Sequence, residues 1–237
     1  MQAAAISQQP VRFIRLHVDE AAGNFGSGEA MYVYRQPDTE ITLQGDINRD
    51  KRIDDNDLTS YMNYTGLRTV DSDFEYVSVG DVNKNGLIDA QDISIVATEL
   101  EGGVQLSADK VGGSLTLVPS TKTWKAGDEI RVSVKGNDLH CVNALSFGLP
   151  YNTDELEYLG MELQGMKNMH NLTNDRLHSN GQKELLPTFV NVGQSDLLEN
   201  GTPELFVLKF RAKKAGKWTL KAVDGMLVGR DLSAVKF

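Results

Sequence analysis

The 237-residue sequence predicts a mainly β chain with a small α module: an antiparallel β-sandwich preceded by a duplicated loop-and-helix unit. Three observations carry this. The stretch GDINRDKRIDDNDL at 45–58 returns as GDVNKNGLIDAQDI at 80–93. After each copy the apolar residues recur at helical spacing: Leu58, Tyr61 and Met62, then Ile93, Val96, Ala97 and Leu100. From residue 114 onward the period changes to two. Leu115 and Leu117, Ile130 with Val132 and Val134, Leu145 with Phe147 and Leu149, Phe206 with Leu208 and Phe210, and Trp218 with Leu220 and Ala222 form alternating sets between turn residues.

Each copy of the repeat opens with glycine (Gly45, Gly80) and then places oxygen-bearing side chains where a twelve-residue calcium loop has them, at its first, third, fifth, ninth and twelfth positions. The first set is Asp46, Asn48, Asp50, Asp54 and Asp57; the second is Asp81, Asn83, Asn85, Asp89 and Asp92. The seventh position contributes a backbone carbonyl, so Arg52 and Leu87 complete the two ligand sets without constraint on their side chains. Calcium suits this spacing because it accepts about six to eight hard oxygen ligands at flexible geometry, whereas magnesium demands a stricter octahedron. Two calcium ions are expected. The sixth position needs a sharp turn, and there the second loop has Gly86 while the first has Lys51, so the second loop is expected to be the better site.

The net charge of -9 is unevenly spread. Residues 37–101 hold 15 acids against 5 bases, whereas residues 1–36 sum to 0 and residues 102–237 to +1, so the acidity belongs to the repeated loops. No basic run is clustered enough in the sequence to indicate nucleic acid or an anionic membrane as partner. No stretch approaches the roughly 20 apolar residues of a membrane helix. The N-terminal MQAAAISQQP has neither a basic start nor a long apolar run, so a secretion signal would lie outside the chain. The single Cys141 excludes an internal disulfide and reads as a small core residue. Acidic pairs such as Asp154-Glu155 lie beside no base-and-nucleophile arrangement, and His170 and His178 match no zinc spacing. No catalytic residue is expected.

The duplicated loop-plus-helix of residues 44–101, with aspartate rather than glutamate at the twelfth position, resembles a type I dockerin. That resemblance implies an EF-hand-like module with two calcium ions that docks onto a cohesin domain in polysaccharide-degrading systems. The Ser-Thr pair common at the tenth and eleventh positions is replaced by Asp55-Asn56 and Ala90-Gln91. Further on, AGDEIRVSV, then LSFGLPYNTDELEYLGM, then LFVLKFRAKKAGKWTL and a final VGRDLSAVKF resemble in their order a cohesin, a jelly-roll sandwich, over about 105–237. Ala144 and Ser146 stand where dockerin-receiving strands often carry Asn and Asp. The strand-like VRFIRLHV and AMYVY around a glycine-rich connection resemble the closing segments of a discoidin-like (coagulation factor type C) sugar-binding domain, over about 10–36.

The domain reading is a partial discoidin-like segment at 1–36, the dockerin-like module at 37–102 and the cohesin-like sandwich at 103–237. The expected function is non-catalytic: a calcium-binding dockerin/cohesin assembly part of a bacterial polysaccharide-degrading glycoside hydrolase. Its partner would be a cohesin or dockerin domain of its own or another chain, with glycan reached through the upstream domain. Location would be extracellular, periplasmic or at the cell surface. The alternative is a carbohydrate-binding module, by fold analogy. A calcium-regulated switch is disfavoured because no methionine-rich groove follows the loops.

Overall fold

The computed structural model describes residues 43–103, 110–166, 169–193 and 203–237. The expectation for residues 10–36 falls outside these. Two helices, α1 (Asp55–Tyr64) and α3 (Ala90–Leu100), follow the two acidic loops, and a short α2 (Phe74–Val77) runs into a single 3-10 turn at 78–80. Both long helices begin in one way. Asp54 and Asp89 are extended N-caps that accept from the backbone N–H of Asn56 and Gln91, and the third helical residues, Asp57 and Asp92, reach back to the cap N–H. Two otherwise orphaned donors are satisfied at each helix start, and the negative charge faces the positive helix end.

The strands are β1 (Gly112–Pro119), β2 (Thr123–Trp124), β3 (Glu129–His140), β4 (Ala144–Tyr151), β5 (Leu156–Leu163), β6 (His170–Asn171), β7 (Asn174–Leu177), β8 (Lys183–Leu186), β9 (Thr188–Val190), β10 (Glu204–Ala212), β11 (Gly216–Lys217), β12 (Val223–Val228) and β13 (Ala234–Lys236). Every pairing among them is antiparallel. One sheet has the order β1-β3-β10-β5; the other runs β13-β12-β4-β8-β7, with β9 beside β4 and β6 beside β9. Between them lies a core in which Ile130, Val132 and Val134 meet Phe206, Leu208 and Phe210 from one sheet and Leu145, Phe147 and Leu149 from the other. Phe206 stacks on Phe147 at 6.4 Å and lies 5.0 Å from Phe189.

Strand β4 shows why the helical module belongs to this architecture. A strand of a sandwich normally buries alternate residues, yet seven of the eight residues of β4 are buried. Leu145, Phe147 and Leu149 point into the sandwich, while Ala144, Val190, Met226 and Val228, from β4, β9 and β12, join a second cluster with Ile47, Tyr61, Ile88, Ile93 and Val96 of the helical module. Residues Leu43–Phe237 form one compact unit.

Three expectations need correction. Met62 is half exposed, because the inward stripe of α1 is carried by Tyr61. Trp218, Leu220 and Ala222 are not on a strand: β11 pairs with β2 for only two residues, and the chain then runs irregularly, with those side chains partly buried on the core. Cys141 is half-buried in the tight β3–β4 connection at φ 54 and is absent from the core, since that turn needs a left-handed residue there.

Candidate metal loops and the interface beside them

The two loops share one pattern of backbone-to-side-chain bonds. In the first, Asp46 accepts from the N–H of Asp50 at 3.0 Å and of Lys51 at 2.9 Å; in the second, Asp81 accepts from Asn85 at 3.0 Å and Gly86 at 2.9 Å. Asn48 and Asn83 each accept from the residue two further on, and Asp50 and Asn85 from Arg52 and Leu87. At the twelfth positions, Asp57 accepts from Asn48 and Asp54, and Asp92 from Asn83 and Asp89. Asp54 and Asp89 are the helix caps already described. The expected side-chain donors of each loop are thus drawn around one turn.

These bonds use part of each oxygen's capacity, since a carboxylate has about four acceptor sites. Among the described residues, no three His, Cys, Asp or Glu side chains stand together as a ready metal cluster. The sets are mixed, with Asn48, Asn83 and Asn85 and the carbonyls of Arg52 and Leu87 among the donors. Their carboxylates sit in an environment that disfavours uncompensated negative charge. Asp46, Asp57, Asp81, Asp89 and Asp92 are all buried. Burial pushes the Asp57 carboxyl up, with Asp46 and Asp50 adding to the push, and it raises Asp89 as well. Burial and the neighbouring Asp89 push Asp92 up to about 8. Buried carboxylates gathered in this way either hold protons or take a hard cation, and an all-oxygen set suits calcium.

The sixth positions differ as expected. Gly86 has φ 85, and Lys51 is forced to φ 74. A non-glycine residue there costs about 1 kcal/mol or more. Replacing Lys51→Gly is therefore expected to stabilise the calcium-loaded protein by roughly 1 kcal/mol, read as a raised urea midpoint. An unchanged or lowered midpoint would remove the strain argument.

The repeats lock together through Tyr61, whose hydroxyl donates to the Gly80 carbonyl at 2.9 Å; burial raises its phenol strongly. Gly80 is tied to this contact, because a Cβ there would lie 2.5 Å from Ile47 and 3.2 Å from Tyr61. Val77 is buried in the same cluster, with Phe74 and Tyr76 packed on its edge.

Against the sandwich, α3 presents Ala90, Ile93, Ser94 and Ala97, all buried. The small residues let the helix approach β4, where the Ser146 hydroxyl accepts from the Ala90 N–H at 3.4 Å. The C-terminus of α1 has no basic residue of its own. Side chains of β7 serve it instead: Asn174 donates to the Met62 carbonyl at 2.7 Å, and Arg176 donates to the carbonyls of Asn63 and Thr65. A cation at the end of a helix satisfies carbonyls that have no intrahelical partner.

Beside this lies a buried polar network that the sequence does not disclose. His178 Nδ1 is 2.8 Å from Asp71 of the helical module, and Nε2 is 2.9 Å from Glu184 of β8. Arg68 donates to both oxygens of Glu184, at 2.9 and 3.0 Å, and pairs with Asp224 at 2.9 Å. Asp71 also accepts from the N–H groups of Arg68 and Ser179. Burial acts to raise the Asp71 carboxyl, and those two N–H groups with His178 outweigh it and hold it below the usual value. Both ring nitrogens of His178 thus lie at hydrogen-bonding distance from carboxylate oxygens, one from each unit. Gly148 of β4 makes room for Glu184, whose carboxylate would lie 2.0 Å from a Cβ there. Asp71 and His178 are 107 residues apart, and no local motif links them.

The fold sets two helix-capped acidic loops against an antiparallel sandwich. Residues 44–101 match the family model of the dockerin type I domain. Type I dockerin domains bind calcium, and they are protein–protein docking modules without catalytic activity. Solved structures similar to the chain include a type II cohesin domain from the cellulosome of Acetivibrio cellulolyticus, at 12% identity over 53% of this chain and 88% of that one, TM-score 0.43. A type I cohesin–dockerin complex from Clostridium thermocellum aligns at 16% identity over 55% and 92%, TM-score 0.41. A cohesin module from a family 33 glycoside hydrolase of Clostridium perfringens aligns at 10% identity over 54% and 90%, TM-score 0.41. No curated protein matches the chain.

Proposed function

We propose that the chain is a non-catalytic assembly part of an extracellular polysaccharide-degrading enzyme, in which a dockerin-like module at 37–102 docks in cis on a cohesin-like sandwich at 103–237. In this reading two calcium ions order the module, held in the first loop by Asp46, Asn48, Asp50, Asp54, Asp57 and the Arg52 carbonyl. The second is held by Asp81, Asn83, Asn85, Asp89, Asp92 and the Leu87 carbonyl. The observation that carries the proposal is the outward side of β4: Ala144 and Ser146 are fully buried under α3, with Ala90 approaching Ser146. Ala144 and Ser146 on the strand and Ala90 on the helix are smaller or less polar than the residues common at these places, which suits a permanent, close-packed interface within one chain more than reversible capture of a separate partner. Among the described residues no helix is long and apolar enough to cross a membrane.

Small-angle scattering of the calcium-loaded chain tests the cis arrangement. One narrow, concentration-independent size distribution for residues 43–237 is expected. A broad distribution, as for two beads on a flexible tether, would exclude it, and growth of the mean mass with concentration would assign the contact to separate chains.

A further inference from the structure

The fold brings two basic stretches of the sandwich together. Strand β2 pairs with β11 through Trp124 opposite Gly216 and Thr123 opposite Lys217, and the Trp218 N–H donates to the Lys122 carbonyl at 2.9 Å. Residues around 122–125 are thereby brought against 211–221, a stretch with five basic residues and no acid in a chain of net charge -9. Lys122, Lys125, Lys213, Lys214, Lys217 and Lys221 are all exposed. Neither Lys217 nor Lys221 has an ion pair among the described residues.

Beside this cluster lies an open groove of about 520 Å³, within the size range of small-ligand sites. Its floor is apolar, made by Trp124, Tyr151 and Leu156, which are nearly covered, together with Leu220. Its rim carries the amides of Asn152 and Gln182, the hydroxyls of Thr153 and Thr219, and the ammonium groups of Lys217 and Lys221. Lys183 also lines it but is neutralised by Asp175 at 3.0 Å, and Glu155 is the one carboxylate in the lining. Lys213 donates to the Thr153 carbonyl at 2.9 Å and so holds that rim in place. Trp124 contributes to the groove as a covered aromatic residue, with its indole against Gly216 of β11.

We propose that this groove binds an acidic oligosaccharide, a short sugar chain bearing carboxylate or sulfate groups. The amides and hydroxyls of the rim offer both donors and acceptors, as sugar hydroxyls require, and the two unpaired ammonium groups supply the counter-charge for the acidic substituents. The apolar floor suits the C–H faces of sugar rings. All the residues that line the groove belong to the sandwich and none to the metal loops, so its failure would leave the docking proposal intact.

Trp124 lines the groove and Trp218 stands in sequence between its lining residues Lys217 and Thr219, so intrinsic fluorescence reports on it. The calcium-loaded full chain is titrated with a galacturonate tetrasaccharide, a sulfated chondroitin tetrasaccharide, neutral cellotetraose and hexaglutamate. Saturable fluorescence change with at least one acidic sugar is expected, weakened by added salt because the lysines are exposed. Binding should fall about tenfold in Lys217→Gln/Lys221→Gln, a surface change that leaves the fold intact by circular dichroism. Equal binding of cellotetraose, equal binding by the double variant, or no saturable signal with either acidic sugar would each overturn the proposal. Binding of hexaglutamate without either acidic sugar would overturn it in favour of an acidic peptide.

Discussion

Removing calcium from the intact chain is expected to cause the largest loss of stability that a solution change can produce. The module has fewer than 60 residues between 44 and 101, and a unit of that size buries too little apolar surface to tolerate uncompensated charge in its interior. Five aspartates of its loops are buried, and the carboxyls of Asp57, Asp89 and Asp92 are all pushed up by that burial. An ion held at a hundred times its dissociation constant adds about 2.7 kcal/mol, so two sites together contribute roughly 5 kcal/mol, comparable with the total stability of a small domain. Thermal melts with calcium and with chelator give the measurement. Equal melting in both sinks the metal assignment. Within the pair, Asp81→Ala should cost more than Asp46→Ala, because Gly86 accepts the left-handed turn that Lys51 must be forced into; the reverse order would invert the ranking. The Asp92 carboxyl, raised to about 8, must shed a proton before it can bind the cation. Calcium affinity of the second loop should therefore rise as pH climbs toward about 8 and fall on acidification, with proton release visible when calorimetry is repeated in buffers of different ionisation enthalpy.

The parts of the molecule that were legible in the sequence are those where function and fold are written locally. A calcium-type loop places its donors within twelve residues, so Asp46 to Asp57 and Asp81 to Asp92 could be named from spacing, and their shared hydrogen-bond pattern is the structural counterpart of the repeat. Strands β1, β3, β4 and β10 were equally legible, because two-residue alternation is enforced wherever one face is buried. Alternation failed at Trp218, Leu220 and Ala222, which share the period of a strand but pack on the core from an irregular segment. A periodic pattern records burial on one side and says nothing of whether a neighbouring strand is present to complete the ladder. Met62 was misplaced for a related reason: two adjacent apolar residues on α1 leave the inward face undecided, and the fit of Tyr61 against Gly80 decides it. What the sequence hid altogether is what joins distant segments. His178 matches no zinc spacing in the sequence, and only the docking of module on sandwich brings Asp71 and Glu184 to its two nitrogens. The groove was likewise hidden, because its lining comes from segments around 124, 150–156, 181–183 and 217–223 that only the folded sandwich brings together.

Glu184→Ala is expected to be the most damaging single substitution at the contact between module and sandwich. Glu184 is 2% exposed, and its two oxygens accept from the Arg68 guanidinium while one also faces His178. Breaking a buried pair by deleting one partner typically costs about 3–5 kcal/mol, since the remaining charge keeps its desolvation penalty and loses its compensation. Arg68 is partly exposed and keeps Asp224, which places the expected loss near the lower end, about 3 kcal/mol. His178 shares the loss, because its Nε2 then has no polar partner in an interior site while Asp71 still faces Nδ1. The consequence is specific to the interface. Urea unfolding of Glu184→Ala in saturating calcium should show either a lower midpoint or a separate early phase in which the module leaves the sandwich. Fluorescence from Trp124 and Trp218, which report on the sandwich, should lag behind that early phase. Glu184→Leu separates lost charge from lost volume: it fills the site but still strands Arg68 and His178, so it should be no more stable than Glu184→Ala. A leucine variant as stable as the parent protein would show that packing alone, and not the ion network, holds the two units together.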